Sequence, residues 1–157
     1  MTMMMTIRIV LMNVVTASLV AGLVRARPAR FRTALHAAML GVAAVLYVVF
    51  ALRADSWGGL AVEAVGLVLF GGTALLGLVH GSPRLLAWGW ALHPLWDAVL
   101  HTAGFMADYT PMGYVAACFG FDLALALWIG RGWAGIPVRA QASAPLTVSR
   151  PAPAEVA

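Results

Sequence analysis

The chain has 157 residues, of which 62% are hydrophobic and only 10% charged, against about a quarter charged in an ordinary soluble domain. That balance excludes a soluble globular enzyme or binding module and identifies an integral membrane protein. The formal charge of +4 comes from a chain whose basic residues are all arginine; they cluster at the ends of apolar runs, where headgroups and topology account for them, which argues against nucleic acid as a partner.

Ile7 to Val24 is the first predicted span, near the minimum of about 18 residues that crosses a hydrocarbon core of about 30 Å. Only Arg8 lies at its start, whereas Arg25, Arg27, Arg30 and Arg32 follow it. A downstream cluster of this kind resists translocation, so the run reads as a retained span with its N-terminus outside rather than as a cleaved signal peptide. Pro28 places a helix break inside the arginine cluster. Thr33 to Leu52 returns outward as the second span, and Trp57 just beyond it suits an interfacial anchor. Leu60 to Val79 is the third, rich in glycine (Gly66, Gly71, Gly72, Gly77). Thr73 and Gly77 stand at small-xxx-small spacing with Gly66 two turns earlier on the same face, a strip that lets a neighbouring helix come close.

After the turn His80 to Arg84, in which Pro83 fits the first position of a helix, Leu85 to Phe105 is the fourth span. Met106 to Pro111 reads as an exposed loop, and Gly113 to Ile129, carrying Asp122, as the fifth span. From Gly135 onward the composition shifts to Ala, Pro, Ser and Val, and residues 135–157 are expected to form a disordered tail. The expectation is an all-α, polytopic transmembrane helix bundle of about five spans within residues 1–134. With the N-terminus outside, Arg25, Arg27, Arg30, Arg32, Arg84, Arg131, Arg139 and Arg150 fall on inner segments and only Arg8 and Arg53 outside. This bias puts the C-terminus in the cytoplasm, and the alanine- and arginine-rich composition suits a bacterial inner membrane.

The fourth span carries the chemistry. His93, Asp97 and His101 recur at i, i+4 and i+8 and so form one stripe along a helix face. An ionisable group at the bilayer centre costs about 2.5 to 3.5 kcal/mol, so the stripe must face companions, a cavity or an ion. At about 1.5 Å rise per residue, Glu63 falls in the layer of His101, and Asp122 in that of His93 and Asp97, with Asn13 nearby. His36 and His80 lie near the inner ends and fall outside this core. Imidazole and carboxylate donors one turn apart can chelate zinc, iron or copper, and His93, Asp97, His101, Glu63 and Asp122 are the candidate ligands and supporting groups. The His93 and His101 Cα atoms stand about 12 Å apart, so one i, i+4 pair is expected at the ion with Glu63 or Asp122, and the remaining member as a hydrogen-bonded support. Pro94 removes an amide donor in the middle of the stripe.

Three uses fit these residues: a buried network that only holds the bundle together, a pocket for a metal ion or small amphiphile, or a proton relay with steps of one helical turn. In the second case a bound ion can activate water, as in a metal-dependent intramembrane hydrolase or oxidoreductase. A chain with so few spans would need a homo-oligomer or a larger membrane complex to enclose a pore. Trp57, Trp88, Tyr109, Tyr114, Trp128 and Trp133 fall near the span ends as an aromatic belt does, whereas Trp96 lies deep beside Asp97. Cys118, the only cysteine, allows no internal disulfide and suits a small packing residue. Glycine-rich phosphate loops, G-x-S-x-G, C-x-x-C and H-E-x-x-H are all absent.

The segment His93-Pro-Leu-Trp-Asp-Ala-Val-Leu-His101 resembles small uncharacterised bacterial integral membrane proteins that carry H-x-x-W-D-x-x-x-H in a late helix. The resemblance implies a shared polar helix and no particular activity. In residue types alone the chain is also similar to the seven-span zinc hydrolases of the ceramidase and adiponectin-receptor type. It departs from them in its number of spans and in having no intramembrane serine apart from Ser18, so no catalytic role carries over.

Overall fold

A computed structural model of the protein describes residues 2–102 and 108–134. Among them are five α-helices and no strand: α1 (Met3–Val24), α2 (Ala29–Arg53), α3 (Trp57–Val79), α4 (Pro83–His101) and α5 (Met112–Ala134). Four of these, α1, α2, α3 and α5, are long and apolar enough to cross a membrane, which marks a multi-pass membrane protein. The helices begin a few residues earlier than the hydropathy runs, because the start is set by capping side chains rather than by the first apolar residue. Thr2, Ser56 and Ser82 each accept a hydrogen bond from a first-turn amide. The helix α4 ends at His101 instead of Phe105, with Thr102 as its C-cap. Residues 103–105 of the predicted span, the first two residues of the predicted loop (106–107) and the whole tail 135–157 lie outside the described residues.

The α2–α3 and α3–α4 connections repeat one device. At each, the residue three past the helix end sends its amide back to the carbonyl five positions earlier, Ser56 N to Ala51 O at 3.0 Å and Ser82 N to Gly77 O at 2.8 Å. The residue before it turns left-handed, Asp55 at φ 51° and Gly81 at φ 57°. This paired closure satisfies the last helix carbonyls, and the same serine then caps the next helix, so each turn reverses the chain within a few residues. As a result α2, α3 and α4 are consecutive antiparallel neighbours.

The small-residue strip on α3 packs where it was expected to allow close approach, and its partner is α4. Gly66 lies under the Trp96 ring, Thr73 against Gly89 and Gly77 against Leu86. These three pairs run in opposite directions along the two helices, so α4 lies antiparallel alongside α3 from Leu86 to Trp96. The remaining large interfaces are α4 with α5 and α5 with α1, while α4 also touches α2. Gly120 brings α5 against the α1 backbone at Val10. Thus α4 sits among α2, α3 and α5, and α1 lies against α5 rather than against its sequence neighbour α2.

The interior divides by depth. Toward the C-terminal ends of α1, α3 and α5 it is apolar, built from Ala17, Leu40, Phe70, Ala74, Leu86, Trp90 and Leu125. Toward the other end it holds Tyr47, Glu63, His93, Asp97, His101, Thr110 and Asp122, all buried. The outward surface is apolar on every helix, with Leu11, Met12, Leu19, Leu23, Val68 and Val79 exposed, far more than a water-facing surface carries. The helix α4 is not among the four because Arg84, His93, Asp97 and His101 lower its mean hydropathy, and the last three of these point inward. Its outer stripe is Trp88, Leu92, Leu95 and Val99, spaced at helical repeat.

Candidate metal centre

The stripe on α4 points into the bundle. His93, Asp97 and His101 are 1%, 0% and 0% exposed, and the helix continues through the buried Pro94. His93 Nδ1 stands 2.7 Å from Asp122 Oδ2 on α5 and 3.8 Å from Asp97 Oδ2 one turn along its own helix. One donor atom from each of these three residues falls within 4.8 Å of the others. The imidazole is fixed by the edge of Phe70, with centroids 4.9 Å apart at 80°, and by Tyr47 at 5.7 Å.

Asp97 is the anomaly of the group. Both of its carboxylate oxygens are buried, and neither has a hydrogen-bond partner of good geometry among the described residues. The Tyr47 hydroxyl stands beside it as a weak hydrogen-bond donor. Buried carboxylates are otherwise almost always satisfied, because leaving one unpaired forfeits its hydration without replacement.

A second cluster lies nearer the α4–α5 connection. His101 Nε2 is 3.3 Å from Glu63 Oε1, and His101 Nδ1 is 3.2 Å from the Thr110 hydroxyl. Tyr109 donates to Glu63 Oε1 at 2.6 Å, and Trp96 flanks the same carboxylate. Burial, reinforced by the Glu63 carboxylate, pushes the Tyr109 phenol above its ordinary range, so it remains a donor. Tyr47 joins the two clusters: it stacks on His101 with centroids 4.5 Å apart and planes 9° apart, while contacting His93 on α4 one layer deeper.

Of the five residues that depth and spacing single out, the structure gathers His93, Asp97 and Asp122 into one group and pairs His101 with Glu63. Asn13 is not part of either group, since its amide donates to Ile9 of its own helix at 3.0 Å. His80 caps α3, and His36 lines a separate cavity. Tyr109 and Tyr114 are not belt residues: Tyr109 turns in to Glu63, and Tyr114 packs on Tyr47 and Phe50. Trp57 and Trp88 do face outward. Tyr47, Tyr109 and Thr110 are the functional neighbours that sequence reasoning missed. A polar atom inside the apolar run 33–52 was the available signal for Tyr47.

A groove of about 370 Å³ opens between α2 and α5 and reaches Asp122 and Cys118, with Asn13, Val42 and Phe121 along its walls. It gives the buried group a sideways opening toward the apolar surface. The donor set of one imidazole and two carboxylates suits a divalent transition ion of the zinc or iron kind. Zinc donors stand about 3.4 Å apart in a tetrahedral site, so small side-chain rotations would close the group on an ion.

No curated protein and no solved structure matches the chain. A family of unknown function, DUF6010, matches residues 2–136, and the chain belongs to that family.

Proposed function

We propose that the protein is a membrane-embedded metal-binding protein in which His93, Asp97 and Asp122 hold one divalent transition ion. The observation that carries this reading is Asp97: a side chain 0% exposed, with no hydrogen bond of good geometry to either oxygen among the described residues, beside two other donors within 4.8 Å. A scaffold network would satisfy its carboxylates, and an ion does so here. Glu63, His101, Tyr109 and Thr110 form the supporting layer that orients the site from the α4–α5 side. Three protein donors leave a coordination place open for water or for a small amphiphile entering by the α2–α5 groove, the arrangement a water-activating metal uses.

In the same reading α4 is a fifth span, its outer stripe of Trp88, Leu92, Leu95 and Val99 facing acyl chains. The arginine bias sets the N-terminus outside a bacterial inner membrane, with the metal centre in the outer half. Cobalt(II) titration of the detergent-solubilised protein tests the ligand set. A one-to-one complex with tetrahedral visible absorption is expected, lost in His93→Ala and in Asp122→Asn. Unchanged cobalt spectra in both folded variants would contradict it.

A further inference from the structure

At the end of the bundle opposite the metal centre, a cavity of about 680 Å³ opens where α1, α2, the start of α4 and the end of α5 converge. Arg25, Arg32 and Arg131 line it together with His36. Among the described residues no carboxylate lines it. The acidic side chains among the described residues are Asp55, Glu63, Asp97, Asp108 and Asp122, all on the loops or in the layers of the other half. Arg32 Nη1 donates to the Arg25 carbonyl at 3.3 Å, which holds its guanidinium at the cavity rim. Gly81 and Pro83 bring the first turn of α4 to the same wall, adding the positive end of a 19-residue helix.

The second, independent sign is His36. Its side chain is 8% exposed, it forms part of the cavity wall, and its Nδ1 is buried without a hydrogen-bond partner. A buried polar nitrogen is costly unless something bonds it, and here its neighbours are guanidinium groups. We infer that this cavity binds the phosphate of an anionic phospholipid headgroup. Arg32 and Arg131 form charge-assisted bonds to the phosphate oxygens, and His36 supplies one more donor from the floor. A lipid rather than a soluble phosphate is favoured because Ala21, Val24, Leu86, Trp128 and Ile129 form the rest of the wall. The same seam between α2 and α5 continues farther along as the apolar groove past Val42 and Phe121, a course suited to an acyl chain. Basic pockets between membrane helices hold anionic headgroups in this way.

Native mass spectrometry of the full chain, titrated in mild detergent with phosphatidylglycerol or phosphatidylcholine, tests the site. Preferential retention of one phosphatidylglycerol is expected. It should weaken about tenfold in the double variant Arg32→Gln/Arg131→Gln, the size of a lost charge-assisted contact. It should fall several-fold in His36→Leu and stay unchanged in Arg53→Gln at the opposite end. Should the double variant fail to fold, Arg131→Gln alone, at an exposed position, makes the same comparison. Equal retention of the two lipids, or Arg53→Gln as damaging as Arg131→Gln, would overturn the inference. So would displacement of the lipid by millimolar inorganic phosphate, which would assign the cavity to a soluble anion. Metal content is read in the same samples and is expected to be unaffected, so failure here is separable from failure of the metal centre.

Discussion

Both oxygens of Asp97 are buried without a hydrogen bond of good geometry among the described residues, and His93 Nδ1 stands 3.8 Å away as its ion-pair partner. If this carboxylate were a structural partner of His93, neutralising it would leave the imidazole with Asp122 alone at 2.7 Å and cost about 1 to 3 kcal/mol. If it waits for an ion, the metal-free fold gains from losing an unsatisfied charge. Thermal unfolding of metal-free Asp97→Asn is therefore expected at or above the midpoint of the metal-free wild type; a fall of many degrees would assign Asp97 to scaffolding. The i, i+4, i+8 stripe was legible because helical spacing is a property of the chain alone. Asp122 and Glu63 were legible through depth, since straight helices of known rise bring equal depths together. Tyr109 and Thr110 were not, because which way a connection turns depends on the helices it joins. Tyr109 follows its hydroxyl to Glu63 at 2.6 Å instead of staying at the interface.

Helix pairing rests on a few small residues and two turns. A Cβ built on Gly77 would come within 2.7 Å of Leu86, so Gly77→Leu must push α3 and α4 apart. It is expected to cost about 1 to 3 kcal/mol and to loosen the wall beneath Phe70 and His93. Gly72, with nothing within 4 Å, is expected to accept alanine without loss. Equal midpoints for Gly77→Leu and Gly72→Ala in detergent thermal melts would show that the strip does not set the α3–α4 distance. At the turns, Gly81→Ala is expected to destabilise by about 1 kcal/mol because its φ of 57° disfavours a Cβ. The strip was readable from the i, i+4 spacing of Thr73 and Gly77. The identity of its partner was not, since small-residue spacing says that something approaches and not which helix. The start of α4 at Pro83 and its early end at His101 were set by Ser82 and by tertiary contacts of the last turn, which hydropathy averages do not register.

The molecule as a unit is polarised: carboxylates and histidines fill one half of the interior, and arginines ring the opposite end. Span number was legible from apolar length for α1, α2, α3 and α5, while α4 is recognisable only when its two faces are separated. The proposed orientation rests on the arginine bias. In a Cys118→Ser background, membrane-impermeant thiol reagent added to intact cells is expected to label Asp55→Cys, on the α2–α3 turn, and to leave Arg27→Cys unlabelled until the membrane is opened. The reverse pattern would invert the bundle and move the acidic half to the cytoplasmic side. Everything said of the buried group depends on whether an ion occupies it in the cell. Elemental analysis of protein purified without chelator measures that directly. Close to one equivalent of a divalent transition metal per chain, absent from Asp97→Asn, is the predicted result, and a folded wild-type protein carrying no metal would contradict it.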